Sequence, residues 1–147
     1  MAITKLPQGH MDPKAVFLHS FQVQAAVNGT RVLAQWLIPF DAEILALHWV
    51  FTPNSSGTAG TENFDVQSDE ATAGSFATIL NANIDTDYTK ATTYTDTFVP
   101  GRGTYDINPA LKSVSAGRKV KAIVTTDADT TIDNCSMVLV LKPICGV

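Results

Sequence analysis

Apolar and polar residues alternate along most of this chain with a period of two, the pattern of strands that bury one face. AEILALHWVF at 42–51 shows it best. Leu45, Leu47, Trp49 and Phe51 fall on one parity, with Ala46, His48 and Val50 on the other. VFLHSFQVQ at 16–24 sets Phe17, Phe21 and Val23 on one face with His19 between them, and Asn28-Gly29 then reads as a hairpin turn. TRVLAQWLI at 30–38 is apolar on both faces, so it is either central in a sheet or buried against a partner, and Pro39 ends it.

PNSSGTAGTE at 53–62 reads as an exposed loop. ENFDVQSD at 62–69 alternates Phe64 and Val66 against Asn63, Asp65 and Gln67, a half-buried strand. Ala73, Phe76, Ala77 and Leu80 recur at helical spacing and predict a short helix or a strand. DYTKATTYTDTF at 87–98 has high β-propensity and poor helix propensity. Pro100-Gly101-Arg102-Gly103 turns the chain, TYDI is a short strand, and Asn108-Pro109 breaks it. RKVKAIVTT at 118–126 points Val120, Ala122 and Val124 at the core. NCSMVLVLKPI at 134–144 points Met137, Leu139 and Leu141 inward. Its opposite face, Val138 and Val140, reads as belonging to a central strand or as covered by an N-terminal arm or another subunit.

Eight or nine strands at this spacing predict an all-β fold: an antiparallel β-sandwich, jelly-roll-like, with at most the one short helix. Long amphipathic helices are absent, which argues against parallel βαβ architecture. Residues 1–13, interrupted by Pro7, Gly9 and Pro13, read as an extended arm, and 14–147 as a single sandwich domain.

Composition narrows the functional classes. Of 147 residues, 16% are charged, well below the roughly 25% usual in soluble domains, and the net charge is −4. Polar surface therefore comes from Thr, Ser, Asn and Gln. Neutral side chains suit a surface covered by partners, because burying a charge is costly, and they equally suit an ordinary Thr-rich β domain. No basic tract is present, and Lys119 and Lys121 solvate one strand face, so nucleic acid is not an expected partner. No apolar run reaches the roughly 20 residues of a membrane-spanning helix, and no signal peptide is evident. Cys135 and Cys145 lie near the C-terminus and read as thiols rather than a disulfide, as in a chain made in the cytoplasm.

Candidate chemistry is thin. His10, His19 and His48 form no zinc-binding spacing, and His48, between Leu47 and Trp49, reads as structural or interfacial. Asp127, Asp129 and Asp133 flank an expected hairpin turn, and Asp85 and Asp87 form a second acidic pair. Neither has the EF-hand spacing, and Asp in turns caps amides without any metal. Ser20, Ser75 and Ser136 lack a nucleophile elbow, and Cys135 lies in an apolar strand. No catalytic, cofactor-binding or metal residue is therefore assigned, and the chain is expected not to be an enzyme. Trp36, Trp49, Tyr88, Tyr94 and Tyr105 could stack sugars, although both tryptophans sit in core-like strands. A carbohydrate-binding or receptor-binding module of a phage tail or head fibre is thus the rival reading.

The segments IPFDAEILALHWVF, GTAGTENFDVQ, ILNANID and VSAGRKVKAIVTTDADTTIDNCSMVLVLKPI, in that order, resemble the decoration, cement or head-accessory proteins of tailed phages. The resemblance spans residues 30–144 and is architectural. It implies a β-sandwich subunit on the outer surface of a virion, clamping the major capsid protein. It also implies homo-oligomers, trimers favoured over dimers, with the arm at 1–13 reaching a neighbour. No catalytic residue or cofactor carries over from it.

Overall fold

The computed structural model describes residues 15–55, 61–82, 84–87, 94–101 and 106–144, with side chains described outside 21–28, 51–55, 61–62, 84–87, 94, 96 and 126–134. Among these residues there are eight strands: β1 Val16–Leu37, β2 Ala42–Ser55, β3 Thr61–Thr72, β4 Ser75–Thr78, β5 Ile84–Asp87, β6 Tyr94–Phe98, β7 Ser113–Val114 and β8 Lys119–Pro143. Every pairing between them is antiparallel. The one helical element among the described residues is a 3-10 turn at Pro109–Leu111. The fold is thus an all-β sandwich.

β8 is the axis of the molecule. Along one edge it pairs with β1 from Leu37↔Lys119 to Val16↔Leu141. Its other edge is shared: residues 120–126 pair with β3, and residues 130–143 with β2. If β8 were straight, Val124 and Met137, which carry Phe64 and Trp49 as cross-strand partners, would lie about 43 Å apart. Yet the Trp49 and Phe64 rings meet edge-on with centroids 4.8 Å apart. The β1·β8 ribbon must therefore fold over, so that the β3 half faces the β2 half.

The corner is visible in the register. Between Val27↔Thr130 and Gly29↔Thr126, β1 advances two residues while β8 advances four. Opposite this bulge Gly29 has φ +85°, a conformation that L side chains rarely adopt. Asn28-Gly29 is therefore a bend inside one long strand, where the sequence predicts a hairpin. The expected turn around Asp127, Asp129 and Asp133 is likewise backbone inside β8.

The core forms where the halves meet. Leu33, Trp36 and Ile38 come from β1 and its end, Ile44, Leu47 and Trp49 from β2, and Phe64 and Val66 from β3. β8 adds Val120, Ala122 and Val124 from one half and Cys135, Met137, Leu139 and Leu141 from the other. Phe98 of β6 closes on Trp49 at 4.6 Å and 81°. Edge-to-face aromatic pairs contribute roughly 0.5–1.5 kcal/mol beyond area burial.

Two bulges correct the simple alternation. One lies between Ile44 and Ala46 and turns Ile44 and Leu47 inward, leaving Leu45 half-buried instead of on the core face with Leu47. The other lies between Val32 and Ala34. It buries Leu33, Ala34 and Trp36 and leaves Val32, Gln35 and Leu37 outside, so β1 here is amphipathic, not doubly buried. Residues 75–78 form a strand, not a helix. β2 runs three residues into the expected 53–62 loop. β8 is central, with Val140 buried and Val138 half-buried. The arm at 1–13 and Cys145 lie outside the described residues.

Removing the aromatic contact between the halves should be costly. Trp49→Ala is expected to destabilise by about 3–5 kcal/mol, read from the urea midpoint. Gly29→Ala should cost about 1–2 kcal/mol by the same measurement, because a Cβ there meets no atom within 4 Å and the penalty is purely torsional.

Candidate interaction surface

The outward faces of the sheets hold whatever the core does not. On the β1·β8·β2 half, cross-strand rows can be read directly from the register. Phe17 lies beside Val140 and Ala46; His19 lies beside Val138, then His48, then Thr97 of β6; Ser136 lies beside Val50. Phe17 is 42% exposed and Val50 37%, while Val140 and Ala46 are buried between their neighbours. His48 Nδ1 and Thr97 Oγ1 are hydrogen-bonded at 2.9 Å. Charge appears only at the end of this face, where Glu43 lies opposite Lys142 and also pairs with Lys112. Among described side chains, the rest of the face carries no Asp, Glu, Lys or Arg. His48 is thus on the surface of a strand, as its position between two core residues implies.

The other half carries a polar network. Asp65 is buried on the parity opposite Phe64 and Val66, and accepts hydrogen bonds from Gln67 Nε2 at 2.8 Å and Thr78 Oγ1 at 2.5 Å. β4 brings Thr78 there, so the short strand covers a carboxylate that alternation alone would place in water. Lys121 sits 4.0 Å from the centroid of the Phe76 ring, a cation–π contact.

At the end where β3 turns into β4, three carboxylates hold loops. Asp69 accepts from Lys119 N at 2.6 Å and Gly74 N at 2.9 Å. These backbone donors, with lesser help from the nearby Arg118 and Lys119 charges, hold its carboxyl below the usual value of 3.8. Glu70 accepts from Ser115 N at 2.7 Å and Ser115 Oγ at 2.6 Å, and Asp41 accepts from Ala116 N at 2.8 Å. A cleft of about 180 Å³ nearby is lined in part by Ser68, Glu70, Thr78, Leu111 and Ser113. Both Glu70 oxygens are already engaged by Ser115, so this cleft presents a capped carboxylate, not a poised base.

Other candidates separate. Cys135 is buried, and desolvation pushes its thiol up to about 11, so it is a poor nucleophile. Among the described residues no three His, Cys, Asp or Glu side chains gather to hold a metal ion. The carboxylates of Asp85, Asp87, Asp127, Asp129 and Asp133, the Tyr94 side chain, and His10, Tyr88 and Tyr105 lie outside the description. Trp36 and Trp49 are buried and offer no sugar-stacking platform. No described helix is long and apolar enough to cross a membrane.

No protein-family model matches the chain, and no curated protein is similar to it in sequence. Among solved structures, a chain from the structure of infectious bursal disease virus, Gx strain, is similar over 94% of this chain at a TM-score of 0.50 and 13% identity. A chain from the Gt strain structure aligns over 95% at a TM-score of 0.41 and 11% identity, too loosely to carry an argument. This protein spans only 37% and 43% of the lengths of those two chains. At such identity the likeness speaks to the fold alone, and it agrees with the antiparallel sandwich.

The Asp69 clamp makes a pH prediction. A carboxyl held low in the folded state stabilises fully above its unfolded value of 3.8 and loses that contribution as pH falls through its lower folded value. Asp69→Asn should therefore cost about 1–3 kcal/mol near neutrality. The gap from wild type should narrow on acidification below 3.8, as followed by urea midpoints across pH.

Proposed function

We propose that this chain is a structural virion protein, a decoration or cement subunit that binds the outside of an assembled major-capsid shell through protein–protein contacts and performs no catalysis. One sandwich body, 14–147, makes the contacts, and the arm at 1–13 reaches a neighbouring molecule. The observation that carries this reading is the outer face of β1·β8·β2, where Phe17 and Val50 are partly exposed and, among the described side chains, Asp, Glu, Lys and Arg occur only at its Glu43 end. Such a face is cheap to desolvate, since no charge must leave water. The likeness to a chain of a virus structure supports the sandwich fold on which this reading rests.

The resemblance in residues 30–144 supplies the finer claim of a phage head accessory, made in the host cytoplasm, and favours a trimer over a dimer. Many copies on one shell reinforce one another, because each contact after the first is made at high effective concentration.

The test is co-sedimentation with undecorated shells and, separately, with free capsid subunits. Saturable binding to shells but not to subunits is expected. Val50→Lys, which puts a charge on this face without touching the core, should weaken shell binding at least tenfold while leaving the urea midpoint unchanged. A chain that never sediments with any shell would defeat the reading.

A further inference from the structure

We propose that the free edge of β1 is a strand-pairing interface with a second copy of this chain, forming an antiparallel β1–β1 contact about a twofold axis. This departs from the trimer that the resemblance favours and rests on the geometry of β1, not on the decoration reading.

Among the described residues the edge is long, and its guards are the bulge after Val32, the bend at Gly29 and Arg31. Among the described residues β1 pairs with β8 alone, over its whole 22 residues, and its other edge meets no described strand. Proteins normally blunt such edges with short strands, lysines, prolines or inward charges. β4 and β6, at the other margins of the sheet, follow the rule with four and five residues. β1 does not: between Val16 and Leu37 it has no Pro, Lys, Asp or Glu, and Arg31 is its one formal charge. Along it, Phe17, Val32 and Leu37 are 42%, 46% and 62% exposed. All three lie on the outer face, because the bulge after Val32 shifts the parity that would otherwise separate Val32 from Leu37.

The occupant follows from self-complementarity and size. An antiparallel pair centred on position 27 sets Phe17 of one copy opposite Leu37 of the other, and repeats that contact across the axis. The centre falls two residues from the corner at Gly29, so each Gly29 lies opposite position 25 of the other copy and the two bends are four residues apart along the edge. A 22-residue edge is roughly 70 Å long, and a strip about 10 Å wide along it is on the order of 700 Å² per copy. That approaches the ~800 Å² per partner of a standard stable interface. The contact is isologous, so it closes at two copies and leaves neither β1 edge open.

Size-exclusion chromatography with light scattering on the full chain should give twice the 15.7 kDa monomer mass. Val32→Lys with Leu37→Lys, both on exposed positions, should return it to the monomer mass with an unchanged urea midpoint. Hydrogen exchange at β1 amides should accelerate at least tenfold in that variant. Pairing centred on 27 also places position 19 opposite position 35, so the double variant His19→Cys with Gln35→Cys should form a covalent dimer under mild oxidation. These positions lie on the exposed outer faces of opposite halves of the folded ribbon and cannot join within a molecule. A monomeric or trimeric wild type, a lysine variant that stays dimeric, or no cross-link would overturn the proposal. Shell binding is scored independently: a dimer that ignores shells overturns the decoration reading and keeps this one, and a monomer or trimer that binds shells does the reverse.

Discussion

The structure depends on one fold in one ribbon. β1 and β8 run together for about twenty residues, and neither half of that ribbon has a core until the other half closes on it. Trp49 reaches Phe64 only because β8 changes direction between the segment that carries β3 and the segment that carries β2. Gly29, at φ +85°, and the extra residues of β8 opposite it supply that change. Packing and backbone geometry are therefore coupled. The aromatic cluster rewards the bend, and the bend is what brings the cluster together.

This coupling explains what could be read from the chain. The inward parity of β8 was legible on both sides of the corner: Val120, Ala122 and Val124, then Met137, Leu139 and Leu141, are all buried. So were Phe64 and Val66, and the burial of both tryptophans. Hidden from the sequence was continuity. Asn-Gly commonly turns a hairpin, and nothing local distinguishes a hairpin from a bend whose flanks pair with the same distant strand. Bulges were hidden for the same reason. Period-two reading placed Leu45 with Leu47 and made 30–38 apolar on both faces, whereas single-residue shifts settle Ile44, Leu33 and Trp36 inward.

The interaction surface was legible only in part. His48 as a surface or interface group was readable from its neighbours, and its Thr97 partner was not, because that contact joins strands 49 residues apart. Asp65 illustrates the opposite failure. Alternation assigns it to water, yet Thr78 and Gln67 satisfy it under β4. A buried carboxylate with two good donors is tolerated where an unpaired one would not be. The acidic residues near the β3–β4 turn invite a metal or catalytic reading, but their oxygens are spent on loop amides. Asp69 and Glu70 tie the β3–β4 turn to the entry of β8, and Asp41 ties the β1–β2 connection to the same loop.

The distribution of charge then gives the molecule two distinct ends of use. Where loops must be fixed, acids meet backbone N–H groups, a strong and directional interaction. On the outer face of β1·β8·β2, the described side chains away from Glu43 include no Asp, Glu, Lys or Arg and are partly apolar. A monomer designed only for solubility would spread its few charges over every face and would place at least one lysine on a 22-residue edge. Among the described side chains, several acids gather at the β3–β4 end and near Glu43, while β1 carries Arg31 as its one formal charge and the face around Val138 carries no Asp, Glu, Lys or Arg. The outer face around Val138 adds nothing to the core, and without formal charges it is cheap to desolvate.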